Sequence, residues 1–314
     1  MLAVQVRSGL SETFHDGAVA VCGPDGQLIA RSGDIERPFF IRSAAKPFQA
    51  KVSRDCGADL DGERLALACA SHSAEPIHVA LVDAILKTAG LEEKDLQCPP
   101  DWPLRSAVVR RLVASGEREP RRIWNNCSGK HAAMLAACVA GGFDPGSYLD
   151  PGHPLQKRIA AFMSEVGGPV EPLGVDGCGA PVFRTTTASM ARAFAALATS
   201  PDLASVQTAM HSYPRLVSGT GRVDGAIAAA TNAVAKGGAM GTLGVAVRGR
   251  LGIAVKCWDG SGTVAGLTAI ESLRLLGYLP DHAASILSGF REPPVLGGGR
   301  VVGRYETRLR LSWI

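Results

Sequence analysis

Apolar runs of strand length cluster at the two ends of this chain, whereas helical periodicity dominates its middle. Near the N-terminus, residues 17–22 and 27–30 flank a Gly-Pro-Asp-Gly turn, a pattern that predicts a strand, a turn and a second strand. Residues 242–247 and 251–258 repeat the pattern around Arg-Gly-Arg. These runs predict an antiparallel sheet assembled from both ends of the chain.

Between about residues 50 and 235 the apolar positions recur mostly at helical spacing. Pro76 and Pro154 suit the first position of a helix. Apolar stripes follow each proline: Ile77, Leu81 and Ile85 after the first, and Leu155, Ile159, Phe162, Met163 and Val166 after the second.

The fold class predicted from these patterns is α+β, with an antiparallel sheet formed from the N- and C-terminal segments and an inserted helical subdomain. We interpret residues 1–314 as a single catalytic domain. Residues 1–50 and 236–314 form its sheet-rich part, and residues 51–235 form its mainly helical part. The proline- and glycine-rich stretch 291–304 predicts a loop before a last strand over 305–313.

Composition narrows the class of protein. A hydrophobic fraction of 46% in 314 residues supports a sizeable core. The net charge of +4 is mild, and no basic block carries interleaved aromatics, so we predict no nucleic-acid partner. No apolar run reaches the roughly 18 residues of a membrane span, and no secretory signal is recognisable, so we expect a cytoplasmic protein without a membrane partner. The eight cysteines lack framework spacing and suit reduced thiols.

The stretch 39–49 carries the first candidate chemistry. Ser43 and Lys46 are three residues apart, so both side chains leave the same face of a helical or 3₁₀ turn. A lysine made neutral by burial can take the proton of a serine nucleophile. Pro47 restricts the backbone of Lys46, which predicts a position at the tip of a helix. The spacing also occurs by chance, and a surface helix start is the alternative.

Two further polar groups interrupt apolar segments. Residues 69–75 place Ser71, His72, Ser73 and Glu75 before the helix at Pro76, and capping of that helix is the simplest interpretation. Lys256 lies inside an apolar strand, where it is either on an exposed edge or a buried functional cation.

Thiols occur in two glycine-containing stretches, 124–131 and 174–179. Ser-Gly-Lys at 128–130 matches the end of a phosphate loop, but the upstream glycine is missing, and we reject that interpretation. Cys127, Lys130 and Cys178 do not make a standard zinc pattern. The same thiols beside His131 also permit a cysteine–histidine nucleophile pair.

Taken in order, these stretches resemble the Rhizobium etli-type L-asparaginases, a serine-dependent family. The resemblance runs from about residue 4 to the C-terminus, although residues 7–12 match only loosely. It implies a fold similar to serine β-lactamases and glutaminases. The residues that carry it are 42–47, 71–75, 125–131, 176–179 and Lys256 before Asp259-Gly260.

The resemblance implies a role for each matched position. Ser43 would be the acylated nucleophile with Lys46 as its base, and Ser73 with Lys256 would form a second catalytic pair. The other implied roles are substrate binding by Arg42, Asp176 and His131, and zinc binding by Cys127, Lys130 and Cys178.

The resulting functional prediction is an L-asparagine amidohydrolase that releases L-aspartate and ammonia through a Ser43 acyl-enzyme. The resemblance further implies a zinc cofactor and a homodimer. Two alternatives remain: a glutaminase or β-lactam-acting acyl-serine enzyme, and a non-catalytic amino-acid- or zinc-binding protein of the same fold. Release of ammonia from asparagine, glutamine and a β-lactam would separate them.

Overall fold

Strands occur at both ends of the chain and in one short central segment. The computed structural model describes residues 1–170 and 172–314, and the side chains of all of these except 172 and 173. In chain order the strands are β1 (Ala3–Arg7), β2 (Leu10–His15), β3 (Gly17–Cys22), β4 (Leu28–Ser32), β5 (Phe39–Phe40), β6 (Pro172–Val175), β7 (Pro181–Thr185), β8 (Ala233–Gly238), β9 (Thr242–Val247), β10 (Leu251–Cys257), β11 (Pro294–Gly297), β12 (Arg300–Thr307) and β13 (Ser312–Trp313).

The central sheet has the strand order β13-β4-β3-β10-β9-β8. Every neighbouring pair in it is antiparallel, and β3 from the N-terminal segment lies beside β10 from the C-terminal segment. The predicted antiparallel sheet built from both ends of the chain is therefore confirmed. A second sheet has the order β11-β12-β1-β2, and a small third sheet has the order β5-β7-β6.

Helices fill most of the segment between the terminal strands, which confirms the α+β prediction. They are α1 (Lys46–Asp55), α2 (Gly62–Ala68), α3 (Pro76–Thr88), α4 (Ser106–Ala114), α5 (Ser128–Gly141), α6 (Pro154–Gly167), α7 (Thr187–Thr199), α8 (Ala204–Ser212), α9 (Pro214–Ser218), α10 (Val223–Ala230), α11 (Gly262–Leu275), α12 (Asp281–Ile286) and α13 (Ser288–Arg291).

The central sheet is covered on both faces. One face packs against α7, behind which lie other helices of the insertion, and the opposite face packs against α10 and α11. Gly252 in β10 explains the close approach of α7, since a Cβ there would lie 2.3 Å from the carbonyl oxygen of Ala191 and 2.1 Å from the backbone nitrogen of Ala195. Sheet residues therefore reach the helical insertion directly.

The stripe predicted after Pro76 is partly wrong. Ile77 is 48% exposed, whereas Val82 and Ile85 are buried. The face of α3 that packs against α5 therefore includes Val82 and Ile85 but not Ile77. The stripe after Pro154 has the predicted phase at its buried members Leu155, Ile159 and Met163.

The C-terminal prediction is also wrong in its details. Residues 294–307 form the β11–β12 hairpin instead of a loop, and the run 305–313 is divided between β12 and β13. Gly298 and Gly299 adopt positive φ angles at the hairpin turn, and β12 finds a partner in β1. Within the described residues, no helix is both long enough and apolar enough to cross a membrane.

Candidate active site

Ser43 lies where a strand gives way to a helix. After β5, residues Arg42–Ala45 form a 3₁₀ turn and α1 begins at Lys46, as predicted for a Ser–Lys pair at a helix tip. Arg42 turns the chain with a φ of +54°, a left-handed conformation that is uncommon for a residue with a side chain. Lys46 is 1% exposed, whereas Ser43 is half-buried and lines a pocket. Among the described residues, the Ser43 hydroxyl has no hydrogen-bond partner.

Lys46 reaches from this turn to the loop that precedes α3. Its Nζ donates hydrogen bonds to the carbonyl oxygen of Ala70 at 2.5 Å and to Ser71 Oγ at 3.1 Å. Lys236 approaches the same hydroxyl from β8, and its Nζ donates to Ser71 Oγ at 2.9 Å. Two buried lysines therefore meet at one serine hydroxyl.

Lys236 is completely buried. Its Nζ also donates to the Gly237 carbonyl oxygen at 2.7 Å, and Asp224 Oδ2 lies 3.9 Å away. Burial lowers the pKa of Lys236 to about 7; the Asp224 carboxylate opposes this shift, and the Lys46 charge adds to it. A lysine with this pKa has a substantial neutral fraction near pH 7 and can accept a proton.

A glycine lets β8 lie against the Ser43 turn. A Cβ on Gly238 would lie 3.0 Å from the carbonyl oxygen of Ile41 and 3.2 Å from Cβ of Arg42. A larger residue at 238 would therefore push the strand away from the turn. The spacing of Lys236 from the Ser43 turn depends on this contact.

The structure does not bring the predicted second pair together. Ser73 Oγ donates to Glu75 Oε1 at 3.0 Å, and Lys256 Nζ donates to the Met240 carbonyl oxygen. Lys256 also lies over the ring of Phe39, 5.6 Å from its centroid. No hydrogen bond joins Ser73 to Lys256 among the described residues.

Ser71 and Lys236 form a hydrogen-bonded serine–lysine pair beside Lys46, whereas the resemblance implied Ser73 and Lys256 as the second pair. Ser71 lies two residues before Ser73 in a loop without regular secondary structure, so the path of this loop decides which hydroxyl faces Lys46. Lys236 follows Ala-Val-Ala in an apolar strand. A lysine inside such a run is the signal that singled out Lys256, and applied to β8 it would have found Lys236 as well.

Glu75 anchors the loop that carries Ser71. Its carboxylate accepts hydrogen bonds from Ser73 Oγ and from the Thr220 backbone N–H, each at 3.0 Å, and from Arg215 Nη2 at 3.2 Å. Burial alone would raise the pKa of Glu75, but these hydrogen bonds outweigh it and lower the pKa to about 2. Glu75 is also the residue that caps α3, in a capping box with His78, so the capping interpretation holds for Glu75 and not for the serines.

The residues predicted to hold zinc lie together on the wall of the pocket that Ser43 lines. Lys130 Nζ lies 3.1 Å from Cys178 Sγ, and the nearby Cys127 thiol donates a hydrogen bond to Asn126 Oδ1 at 3.0 Å. Cys127 and Cys178 both line this pocket, whose volume is about 200 Å³. Two sulfurs and one amine thus converge at a single place.

The protonation states of Cys178 and Lys130 are compatible with metal binding. The interaction with the neighbouring Cys127 thiol and the Lys130 charge lower the pKa of the Cys178 thiol far below its usual value, against the effect of burial. Burial alone would lower the pKa of Lys130, but the sulfurs of Cys178 and Cys127 outweigh burial and raise it. Thiolates are strong zinc ligands, and a cation would replace the Lys130 proton, so the donor set fits zinc.

His131 is buried beside Cys178 and does not line the pocket. Its Nδ1 lies 2.7 Å from the Tyr148 hydroxyl, and its ring is completely buried. Its Nε2 lies near Cys178 but makes no hydrogen bond of ordinary geometry in the described structure. This position favours a supporting role for His131 over the predicted direct contact with substrate.

Arg42 and Asp176 pair with each other at the mouth of the site. Arg42 Nε lies 2.8 Å from Asp176 Oδ1, and both side chains line the pocket beside Ser43. A cation and an anion side by side can each bind the opposite charge of a zwitterion. The geometry is therefore compatible with their predicted substrate-binding roles.

A separate group of possible metal ligands consists of His15, Cys257 and Asp259, whose donor atoms lie within 4.8 Å of one another. Asp259 lies 2.5 Å from His15 Nδ1 and accepts a hydrogen bond from Cys257 Sγ at 3.0 Å. Because the carboxylate already pairs with both partners, we assign no metal to this group.

Several solved structures are distantly similar to this chain. Mglu in its native form is 17% identical over 86% of this chain and 66% of that one, with a TM-score of 0.40, so the present chain spans about two thirds of its length. A β-lactamase from Mycobacterium bovis is 16% identical over 88% and 95% of the two chains, with a TM-score of 0.44. A probable glutaminase, ybaS, is 17% identical over 84% and 86%, with a TM-score of 0.41.

No curated protein matches the chain. The family comparison is specific, since the model of L-asparaginase II matches residues 3–307. That range includes Ser43, Lys46, Ser71, Lys236 and the Cys178 pocket described above. The chain therefore belongs to the L-asparaginase II family, and the family supports an amidohydrolase.

Proposed function

We propose that this protein hydrolyses the side-chain amide of L-asparagine through an acyl-enzyme on Ser43. The observation that carries the proposal is the hydrogen-bonded line Lys46–Ser71–Lys236, whose Lys46 end lies three residues after Ser43 and lines a pocket together with it. An amide hydrolase needs a nucleophile, a base to activate it and a path for a proton to the leaving amine. These residues supply each part.

In the proposed reaction Lys46, in its neutral form, takes the Ser43 hydroxyl proton as Ser43 Oγ attacks the amide carbon. The tetrahedral intermediate collapses when the C–N bond breaks and ammonia leaves with a proton returned by the lysines. Water then attacks the aspartyl ester, L-aspartate departs and Ser43 regains its proton.

Ser71 is suited to carry a proton between the two lysines. A hydroxyl can accept a hydrogen bond from one amine while donating its own proton to a neutral amine. With Lys236 near pKa 7, one lysine can be charged while the other is neutral. We therefore propose Ser71 and Lys236 as the relay, in place of Ser73 and Lys256.

Recognition of a free amino acid is supported by the ion pair at the pocket mouth. We propose that Arg42 binds the α-carboxylate and Asp176 the α-ammonium of the substrate, each exchanging its present partner for a substrate charge. The pocket of about 200 Å³ suits a molecule the size of asparagine or glutamine.

We propose zinc as the cofactor, bound by Cys127, Lys130 and Cys178. When bound, the ion would supply a positive charge on the pocket wall. Because Lys46 already serves Ser43 as a base, the three ligands would shape the pocket and help hold substrate. The homodimer and the cytoplasmic location stay predictions, the first testable by light scattering of the purified protein.

Release of ammonia tests the proposal. Purified protein is incubated with L-asparagine, L-glutamine and a β-lactam, and ammonia or ring opening is measured for each. We expect asparagine to be the best substrate. Preference for glutamine or for the β-lactam would replace the substrate assignment, and tight amino-acid binding without turnover of any of the three would favour a binding protein.

A further inference from the structure

A buried carboxylate lies behind the lysine–serine line. Asp224, in the first turn of α10, is 1% exposed, and its Oδ2 lies 3.9 Å from Lys236 Nζ. The same oxygen accepts a hydrogen bond from the Gly237 backbone N–H at 3.2 Å. No sequence pattern indicated a role for this residue.

These contacts fix the strand segment that presents Lys236. The Gly237 N–H is held by Asp224, and the Gly237 carbonyl oxygen accepts the 2.7 Å hydrogen bond from Lys236 Nζ. The backbone of Gly237 is thus hydrogen-bonded both to the Asp224 carboxylate and to the Lys236 amine. A buried charge is costly unless it is paired, so the buried Asp224 carboxylate and the buried Lys236 amine each reduce the cost of burying the other.

Resting on the function proposed above, we propose that Asp224 is a positioning residue, which holds Lys236 against Ser71 and provides the negative charge that its amine faces. Asp224 does not touch Ser43 or the pocket in the described structure. It acts through Lys236, at the opposite end of the line from the nucleophile.

The charges around Lys236 determine in which direction the loss of Asp224 should shift the pKa of this lysine. Burial lowers the pKa of Lys236, the Asp224 carboxylate raises it, and the cations of Lys46 and Arg222 lower it. Removing Asp224 takes away the larger of the two contributions that raise the pKa of Lys236, the other being Cys127. The titratable and charged groups that face Lys236 are Asp224 and Arg222 at α10, Lys46 at α1, Cys127 before α5 and Cys69 after α2.

The test compares Asp224→Asn with Arg222→Gln. Asparagine keeps an oxygen for the Gly237 N–H and removes the charge, so the acid limb of the kcat/KM–pH profile should move to lower pH by about one unit, a tenfold change in the neutral-to-charged ratio of Lys236. Arg222 lies 3.9 Å from Asp224 Oδ1 and is 43% exposed, so its removal should be tolerated and should move the limb to higher pH. A general loss of structure cannot shift the limb in opposite directions.

A measurement without turnover separates this proposal from the proposed function. The titration of Lys236 is followed by NMR on protein labelled with [ε-¹³C]lysine, and its resonance is assigned with a Lys236→Met variant. We expect the midpoint to fall in Asp224→Asn and to rise in Arg222→Gln even if asparagine is not the substrate. Unchanged midpoints in both variants would overturn the proposal; if Asp224→Asn does not fold, an unchanged midpoint in Arg222→Gln does so alone.

Discussion

Lys236 Nζ donates a 2.9 Å hydrogen bond to Ser71 Oγ, although the two residues lie 165 positions apart in the chain. The lysine comes from the edge strand of the central sheet and the serine from a loop of the helical insertion. Lys46 bonds to the same hydroxyl. Replacing Lys46, Ser71 or Lys236 should therefore impair the proposed reaction.

Replacing Lys236 should damage catalysis far more than replacing Lys256. We expect Lys236→Met to lower kcat by about 10²- to 10⁴-fold, the range typical of a lost proton-transfer group. Lys256→Met should have a smaller effect, because the Lys256 amine contacts the Met240 carbonyl and no serine in the described structure. Steady-state kinetics of the two variants, with circular dichroism as a check on folding, measure the difference.

The serines provide an independent comparison. Ser71→Ala should reduce kcat strongly, whereas Ser73→Ala should act through the stability of the Glu75 loop. Equal losses in Ser71→Ala and Ser73→Ala, or a larger loss for Lys256→Met than for Lys236→Met, would restore Ser73 and Lys256 to the relay.

Ser43 should carry the acyl group. Ser43→Ala should lose at least about 10³-fold in kcat, as expected when a nucleophile is removed. Intact-mass spectrometry after rapid acid quenching with substrate should show an aspartyl adduct on the wild type, and peptide mapping should place it on Ser43. An adduct on Cys178, with activity retained in Ser43→Ala, would establish the cysteine–histidine alternative instead.

Activity should increase as the pH rises through neutrality. The working form of a lysine base is the neutral amine, and burial lowers the pKa of Lys236 to about 7, so the neutral fraction grows between about pH 6 and 8. The kcat/KM–pH profile measures this limb. A profile with its maximum in the acid range would remove lysine from the base role.

Zinc should bind at about one ion per chain and should depend on Cys178. Metal analysis of protein purified without chelator should find the ion in the wild type and in Cys22→Ala, whose thiol lies in β3, and should find little in Cys178→Ala. Chelation should weaken substrate binding or activity without unfolding the protein. Wild-type protein that contains no zinc and gains no activity from added zinc would exclude the cofactor.

Glu75 should make the protein more sensitive to acid. The folded-state pKa of about 2 lies below the ordinary value of 4.5, so the stabilisation is complete above about pH 4.5 and is lost as the pH falls towards 2. The contribution of the lowered Glu75 pKa to the free energy of unfolding is about 3 kcal/mol at most. Chemical unfolding at pH 6 should show a lower free energy for Glu75→Gln than for the wild type, and the gap should narrow near pH 3. A constant gap would assign the loss to packing alone.

Local patterns predicted the parts of this site that depend on neighbours in the chain. Ser43 and Lys46 share a turn, so their spacing and Pro47 sufficed to place them at a helix tip. Ser71 and Lys236 meet only because β8 approaches the helical insertion, a contact set by the packing of Gly238 against the Ser43 turn. No periodicity in the chain encodes that approach, so the choice between Lys236 and Lys256 required the three-dimensional structure.

The proposed relay joins the helices to the edge of the central sheet. Catalytic activity should therefore depend on how tightly these two layers pack together. Lys46 begins α1 and Ser71 lies in the loop before α3, whereas Lys236 lies in β8 at the edge of the sheet. A slight parting of sheet and helices in mild urea would lengthen the Lys236–Ser71 hydrogen bond while each layer keeps its secondary structure. Turnover should therefore fade at a lower urea concentration than the far-ultraviolet circular dichroism signal, so that enzymatic failure marks the earliest loosening of the native state.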